Sequence, residues 1–110
     1  MKLHLAVLSA SLCVAGSAFG QGKVDAKAAE ALAMKSGCIA CHAVDKKLIG
    51  PSYKDVANKY RGDATAPAKL AEKVKKGGSG VWGPVPMPPN PNAKDDDVKK
   101  MVQLILNLKK

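Results

Sequence analysis

The sequence has 110 residues and a formal net charge of +9, and it contains only one Trp, two Tyr and one Phe. An apolar fraction of 46% and a charged fraction of 25% are typical of a folded globular chain, not of a disordered one. The length favours a single domain. Beyond the extreme N-terminus no apolar stretch approaches the roughly 20 residues that a membrane-spanning helix needs, which argues against a membrane-spanning protein.

The first 20 residues have the layout of a secretory signal peptide. Lys2 precedes an apolar run at residues 5–14, which is about half the length of a membrane span, and small residues follow it. Residues 18–20 form a small-x-small cleavage site, so we expect the mature chain to begin at Gln21. Cleavage after Ala18 is the second choice.

Removal of residues 1–20 leaves one domain at residues 21–110 and lowers the net charge to +8. It also discards Cys13, which could otherwise be a lipid-anchored cysteine, although Leu12 stands where such a site needs a small residue. A domain of this size is short of core, so it needs a covalent staple or a large apolar prosthetic group.

Hydrophobic spacing predicts two helices in the first half of the domain. The first begins near Val24 or Asp25, with Asp25 available as its N-cap, and ends at Gly37. Its apolar face carries Ala28, Ala31 and Leu32. The second is a short helix that is capped by Ser52 and runs through Lys59. Its apolar side chains recur at helical spacing: Tyr53, Val56, Ala57 and Tyr60.

A third helix starts around Pro67, which suits a first turn, and runs to about Lys76 with Leu70 and Val74 facing inward. Residues 84–91 then contain five prolines, which forbid a helix or a central strand and predict a stiff, extended loop.

The last helix follows the acidic stretch that ends at Asp97, and Lys109 and Lys110 suit its C-terminal dipole. Its apolar stripe is Val98, Met101, Val102, Ile105 and Leu108. The domain therefore reads as all-α, with no convincing strand.

The chemistry of the chain is concentrated in the segment Cys38-Ile39-Ala40-Cys41-His42, which fits the C-x-x-C-H pattern of c-type haem attachment. The two thiols can add to the haem vinyl groups, and the adjoining imidazole can reach the iron. Structural zinc is disfavoured because residues 21–110 offer three Cys or His ligands instead of four. A redox-active dithiol would need a βαβ setting, and a disulfide across so small a loop would constrain little.

Haem iron held by His42 needs a sixth ligand or an open coordination position. The candidates are Met34, Met87 and Met101. Met34 lies too close to Cys38 in sequence to reach the other haem face easily, and Met101 fits core packing in the last helix. Met87 stands alone among prolines, far enough along the chain to cross the haem, so we expect it to be the ligand. Iron with two axial ligands favours an electron carrier over an enzyme.

Three segments resemble the small bacterial class I cytochromes c of the cytochrome c-551 type: residues 37–43, 49–57 and 78–90. The resemblance covers nearly the whole chain after residue 20. It implies about four short helices wrapped around one covalently bound haem c, with the N- and C-terminal helices packed together. It also implies a periplasmic monohaem electron carrier.

The resemblance implies a role for each residue that matches the family's motifs. Cys38 and Cys41 form the thioethers, and His42 and Met87 are the axial ligands of the iron. The remaining positions are the Pro51 carbonyl as acceptor for the His42 ring, Trp82 and Lys73 as neighbours of the haem propionates, and Asn90 as the residue that orients the methionine loop. Leu104 stands where relatives commonly have Trp, and residues 91–92 lengthen the loop.

The high positive charge predicts acidic redox partners if lysines surround the haem edge, although lysines spread over a chain are often only a solvated surface. The lysines near haem-binding segments are Lys35, Lys46, Lys47, Lys73, Lys75 and Lys76. By resemblance, the partners are a quinol-oxidising complex or photosynthetic donor upstream, and a terminal oxidase or nitrite reductase downstream.

A nucleic-acid or membrane-surface protein would explain the lysines but not the C-x-x-C-H motif. A haem enzyme such as a weak peroxidase is the nearer rival, and a monomer is expected.

Overall fold

The computed structural model describes residues 21–109, which form four α-helices and one short 3-10 helix. The α-helices are α1 (Gln21–Lys35), α2 (Tyr53–Lys59), α3 (Ala66–Lys76) and α4 (Asp95–Leu106), and the 3-10 helix spans Cys38–Ala40. Pairing of extended backbone in this part of the chain is limited to two isolated bridges. The predicted signal peptide lies outside the described residues.

Helix α4 is the centre of the fold, because α1, α2 and α3 all pack against it. The predicted apolar stripe is buried throughout: Val98, Met101, Val102 and Ile105 lie in α4, and Leu108 is buried just beyond the end of the helix. The contact between α1 and α4 confirms the expected packing of the N- and C-terminal helices. In residues 21–109, no helix is both long enough and apolar enough to cross a membrane.

Helix α1 differs from the prediction at its start and on its buried face. It already includes Gln21, the first described residue, so Asp25 lies inside the helix and is not its N-cap. Of the predicted face, Leu32 packs against the core and Ala28 is half-buried, but Ala31 is exposed, and the fully buried alanines are Ala29 and Ala33. The run of alanines gives no apolar contrast around the helix, so only the packing against α4 selects the buried face.

Helices α2 and α3 follow the sequence prediction closely. Ser52 caps α2 by accepting a hydrogen bond from the backbone N–H of Asp55 at 3.1 Å. Pro67 lies in the first turn of α3, and Val74 is buried while Leu70 packs against the core.

The C-terminal prediction for α4 is wrong in one respect. The helix ends at Leu106, so Lys109 lies beyond its last turn, which contains no basic residue. Lys110 is outside the described residues. A favourable interaction with the helix dipole occurs instead at the N-terminal end, where the carboxylates of Asp95, Asp96 and Asp97 occupy the first turn.

Candidate haem site

A cavity of about 330 Å³ lies between the helices and two connecting segments. We call residues 38–51 the attachment segment and residues 77–93 the methionine segment. The cavity has a size typical of cofactor pockets, and its lining is mainly apolar. The structure places Cys38, Cys41, His42 and Met87 together in this lining.

The attachment segment is folded by hydrogen bonds between its own backbone groups. The N–H of His42 donates to the carbonyl of Cys38 at 3.0 Å, and the N–H of Gly50 donates to the carbonyl of Cys41 at 2.8 Å. Gly37 precedes the 3-10 helix with φ of 77°, a left-handed conformation that favours glycine. This compact loop brings both thiols and the imidazole to one side of the cavity.

The two thiols are not joined in a disulfide. Burial raises the pKa of the Cys38 thiol, and the neighbouring Cys41 raises it further. A redox-active dithiol needs a lowered pKa, so this environment argues against that reading of the motif.

The imidazole of His42 is held from two sides. Its Nδ1–H donates to the carbonyl oxygen of Pro51 at 2.7 Å, and its ring stacks on Tyr53 with centroids 5.3 Å apart. Because a carbonyl oxygen can only accept, Nδ1 carries the proton and Nε2 keeps the lone pair that a metal requires.

The methionine segment begins with a backbone bridge. The N–H of Met87 donates to the carbonyl of Gly78 at 2.8 Å, and the N–H of Gly78 donates back at 3.0 Å. Met87 is half-buried at the cavity. Met101 also lines the cavity, but it is only 2% exposed and belongs to the α4 core. Met34 is 60% exposed and lies outside the lining.

The other predicted residues take different positions around the cavity. Trp82 and Lys73 both line it, and Lys73 packs against Gly78 so closely that a Cβ there would be 2.5 Å from Nζ. Asn90 does not line the cavity. Its side-chain amide donates to the carbonyls of Val74 and Pro88, each at 3.2 Å, which ties the methionine segment to the end of α3.

Sequence reasoning missed two side chains at the site. Tyr53 was predicted only as a residue of the α2 face, yet it stacks on His42, and its buried hydroxyl has no hydrogen-bond partner among the described residues. Lys59 places its Nζ 5.4 Å from the centroid of the Trp82 ring. Helical spacing marks the face on which a residue lies, but it carries no signal for these contacts across the cavity.

These residues fit a covalently bound haem. Two unpaired thiols, an imidazole with Nε2 available and a thioether share one largely apolar cavity, and the orphaned Tyr53 hydroxyl offers a buried polar contact. An all-helical domain with this donor set is a c-type haem protein.

Comparison with known proteins gives the family. The family model described as "Cytochrome c" matches residues 26–109. Cytochrome c-551 of Pseudomonas aeruginosa is 46% identical over 99 residues, which cover 90% of this chain and 93% of the relative. Cytochrome c-552 of Nitrosomonas europaea is 51% identical over 101 residues, which cover 92% of this chain and 90% of the relative. The crystal structure of the wild-type Nitrosomonas europaea protein superposes with a TM-score of 0.70 over 73% of this chain and 99% of that chain.

The chain belongs to the cytochrome c family and is close to the c-551 and c-552 proteins. This confirms the resemblance and the four-helix fold. The protein is a monohaem electron carrier and not an enzyme, and it carries haem c attached through the C-x-x-C-H motif, in which Cys38 and Cys41 are the two cysteines. Its partners are redox proteins.

Proposed function

We propose that His42 and Met87 are the axial ligands of the haem iron and that the protein carries single electrons in the periplasm. The observation that carries this proposal is that the Nε2-bearing imidazole, oriented by Pro51, and the Met87 thioether line the same cavity. Bound haem c supplies the one-electron couple of its iron. Two protein ligands leave no coordination position for a substrate, which matches a carrier.

The other residues around the cavity hold and screen the haem. Pro51 and Tyr53 fix the orientation of the imidazole through a hydrogen bond and ring stacking. Trp82 and Lys73 are donors that suit the haem propionates, and Asn90 fastens the methionine segment. The mainly apolar lining excludes water from the metal, which favours the less charged iron state.

The axial ligands are tested with absorption spectra of both oxidation states and with carbon monoxide. The reduced wild-type protein should not bind carbon monoxide at neutral pH, whereas Met87→Ala should bind it readily. Met101→Leu is the matched control, because it removes the other thioether that lines the cavity and keeps its volume. Carbon monoxide binding by the wild type would favour a haem enzyme, and binding only by Met101→Leu would move the ligand to Met101.

Export is the second part of the proposal. Residues 1–20 act as a signal peptide, and residues 21–110 are the haem domain. The basic start, the short apolar run and the small residues at 18–20 support this division. Sequencing the N-terminus of the periplasmic protein should give Gln21 as the first residue, or Phe19 if cleavage follows Ala18. A cytoplasmic, uncleaved protein would contradict export.

Acidic docking sites on the partners are the third part. Of the lysines predicted to steer docking, Lys35, Lys75 and Lys76 are engaged in ion pairs with Asp97, Asp95 and Glu72. Lys47 is exposed and lines the cavity, and Lys46 is exposed beside it. We therefore assign the steering to these two lysines and propose partners of two kinds: a quinol-oxidising complex or photosynthetic donor upstream, and a terminal oxidase or nitrite reductase downstream.

Steering is tested by the dependence of the transfer rate on ionic strength. The rate should fall steeply as salt is added, because charges are screened beyond about 8 Å at physiological salt. The double variant Lys46→Gln/Lys47→Gln should flatten this dependence. The control is Lys99→Gln/Lys100→Gln, which removes the same charge from exposed positions of α4 outside the cavity lining. Equal effects of the two double variants would contradict a localised docking site.

A further inference from the structure

The second half of the methionine segment is poor in hydrogen-bond donors. Pro88, Pro89 and Pro91 have no backbone N–H, so few carbonyl groups of this stretch find a donor within it. The internal bonds run from the Ala93 N–H to the Asn90 carbonyl and from the Asn90 side-chain amide to the Pro88 carbonyl. The carbonyl groups of Pro91 and Ala93 instead take donors from another part of the fold.

The side chain of Lys75, in the last turn of α3, provides those donors. Its Nζ lies 3.1 Å from the carbonyl oxygen of Pro91, 2.5 Å from that of Ala93 and 2.9 Å from Oδ1 of Asp95. An ammonium group has three N–H donors, and here each has an acceptor. The side chain is only 28% exposed, so these charge-assisted bonds are partly shielded from water.

The neighbouring lysine shows that this arrangement is specific to position 75. Lys76 is 75% exposed, and its Nζ pairs with Glu72 one turn earlier in the same helix. It therefore adds the same charge at nearly the same place in the fold without holding the methionine segment.

Asn90 also binds this end of α3, but here the methionine segment is the hydrogen-bond donor and α3 is the acceptor. Its backbone N–H donates to the carbonyls of Val74 and Lys75 at 3.1 and 3.2 Å. The residues that follow Met87 are thus fastened to α3 at two points. The first is Asn90, and the second is the pair of carbonyl groups of Pro91 and Ala93. Release of either point would lengthen the free chain that connects Met87 to α4.

We propose that Lys75 is a positioning residue that fastens the methionine segment to α3 and thereby limits how often Met87 leaves the iron. The inference rests on the proposed axial role of Met87. Lys75 touches neither the iron nor the ligand, and it acts through the backbone at Pro91 and Ala93.

The test compares holoprotein variants in the ferric state. Cyanide can bind only when the sixth position opens, so its binding rate reports how often Met87 is released. Lys75→Met should bind cyanide about tenfold faster, which corresponds to about 1.4 kcal/mol. It should also weaken the red-edge absorption band of thioether-ligated ferric haem. Lys76→Met should stay within about twofold of the wild type, because it removes an equal charge and no bond to the segment. Lys75→Arg, which keeps charge and donors, should recover part of the loss.

The outcomes separate this inference from the axial assignment. If the wild type lacks the thioether band and binds cyanide at once, the assignment of Met87 fails. If the wild type shows the band but Lys75→Met behaves like Lys76→Met, the role of Lys75 is overturned while the axial assignment stands. Should Lys75→Met not fold, Asp95→Asn takes its place, since it weakens the same cluster without changing α3, and it should accelerate cyanide binding to a smaller extent. No acceleration in Asp95→Asn would then contradict the inference.

Discussion

The attachment segment and the methionine segment hold the same cavity in different ways. The bonds from Cys41 to Gly50 and from His42 to Pro51 join residues that are nine positions apart, so the attachment segment closes on itself. Beyond Met87, the methionine segment depends on α3, through contacts of Asn90 and Lys75 that span 16 to 18 positions. The methionine segment also has a local bridge between Gly78 and Met87, but the residues after Met87 are held in place only when α3 has assembled beside them. A short motif can thus encode one side of the site more completely than the other.

The largest expected effect comes from Gly77, where α3 meets the methionine segment. Its φ is 72°, and a Cβ would collide with the carbonyl oxygen of Met87 and lie 2.8 Å from the nitrogen of Pro89. Gly77→Ala should lower the free energy of unfolding by about 2–5 kcal/mol, as the combined cost of left-handed backbone and overpacking. Denaturant titration of the holoprotein measures this loss, and the thioether band should weaken with it.

Gly62→Ala separates the cost of the backbone conformation from the cost of overpacking. Gly62 has φ of 80°, but a Cβ there would meet nothing within 4 Å. Its variant should therefore lose only the backbone part, about 1–2 kcal/mol, and keep the thioether band. If both variants lost the same stability, the close approach of α3 to the methionine segment would not matter energetically.

The second prediction concerns Gly50 in the attachment segment. A Cβ at this position would lie 2.5 Å from Cε1 of His42 and 2.9 Å from Nδ1. Gly50→Ala should cost about 1–3 kcal/mol, because the imidazole must tilt away from Pro51. Proton NMR of the ferric protein should show shifted His42 resonances and unchanged Met87 resonances. Movement of the Met87 signals instead would mean that the two segments are coupled more tightly than their hydrogen bonds indicate.

The third prediction compares one polar side chain from each side of the site. Ser52→Ala removes the α2 cap next to Pro51 and should cost about 1 kcal/mol. Asn90→Ala removes two side-chain hydrogen bonds and should cost about 0.5–1.5 kcal/mol. The losses are similar, but only Asn90→Ala should speed cyanide binding to the ferric protein. Equal acceleration in both variants would show that global stability, and not anchoring of the methionine segment, controls access to the iron.

The difference between local and long-range contacts also explains how much could be predicted from the sequence. The α2 cap at Ser52 and the α4 stripe from Val98 to Ile105 were predictable because each depends on residues within a few positions of one another. The C-x-x-C-H motif is equally local, and it gave the correct cofactor, while the family came from the resemblance of residues 37–43, 49–57 and 78–90. The buried face of α1 was predicted only in part. Leu32 packs against the core as predicted, but the fully buried alanines are Ala29 and Ala33, because alanines look alike in sequence until the helices pack together.

Position 75 shows why the remaining part could not be predicted. All three of Lys73, Lys75 and Lys76 were grouped as lysines near the haem edge, and only the family resemblance singled out Lys73 as a neighbour of the propionates. Only the assembled fold gives them different surroundings: Lys73 lines the cavity, Lys75 binds the methionine segment, and Lys76 pairs within α3. Nothing in the sequence distinguishes Lys75 from Lys76, because the two are identical residue types in one helix turn.

The smallest expected effect tests the direct contact between α2 and the methionine segment. Lys59, at the end of α2, lies over the ring of Trp82 at 5.4 Å. An exposed cation–π pair contributes about 0.5–1 kcal/mol. A double-mutant cycle with Lys59→Gln and Trp82→Leu, followed by denaturant unfolding, should give a coupling energy of this size. Additive losses would mean that the pair contributes nothing, so that the methionine segment would rely on α3 and the haem alone for its position.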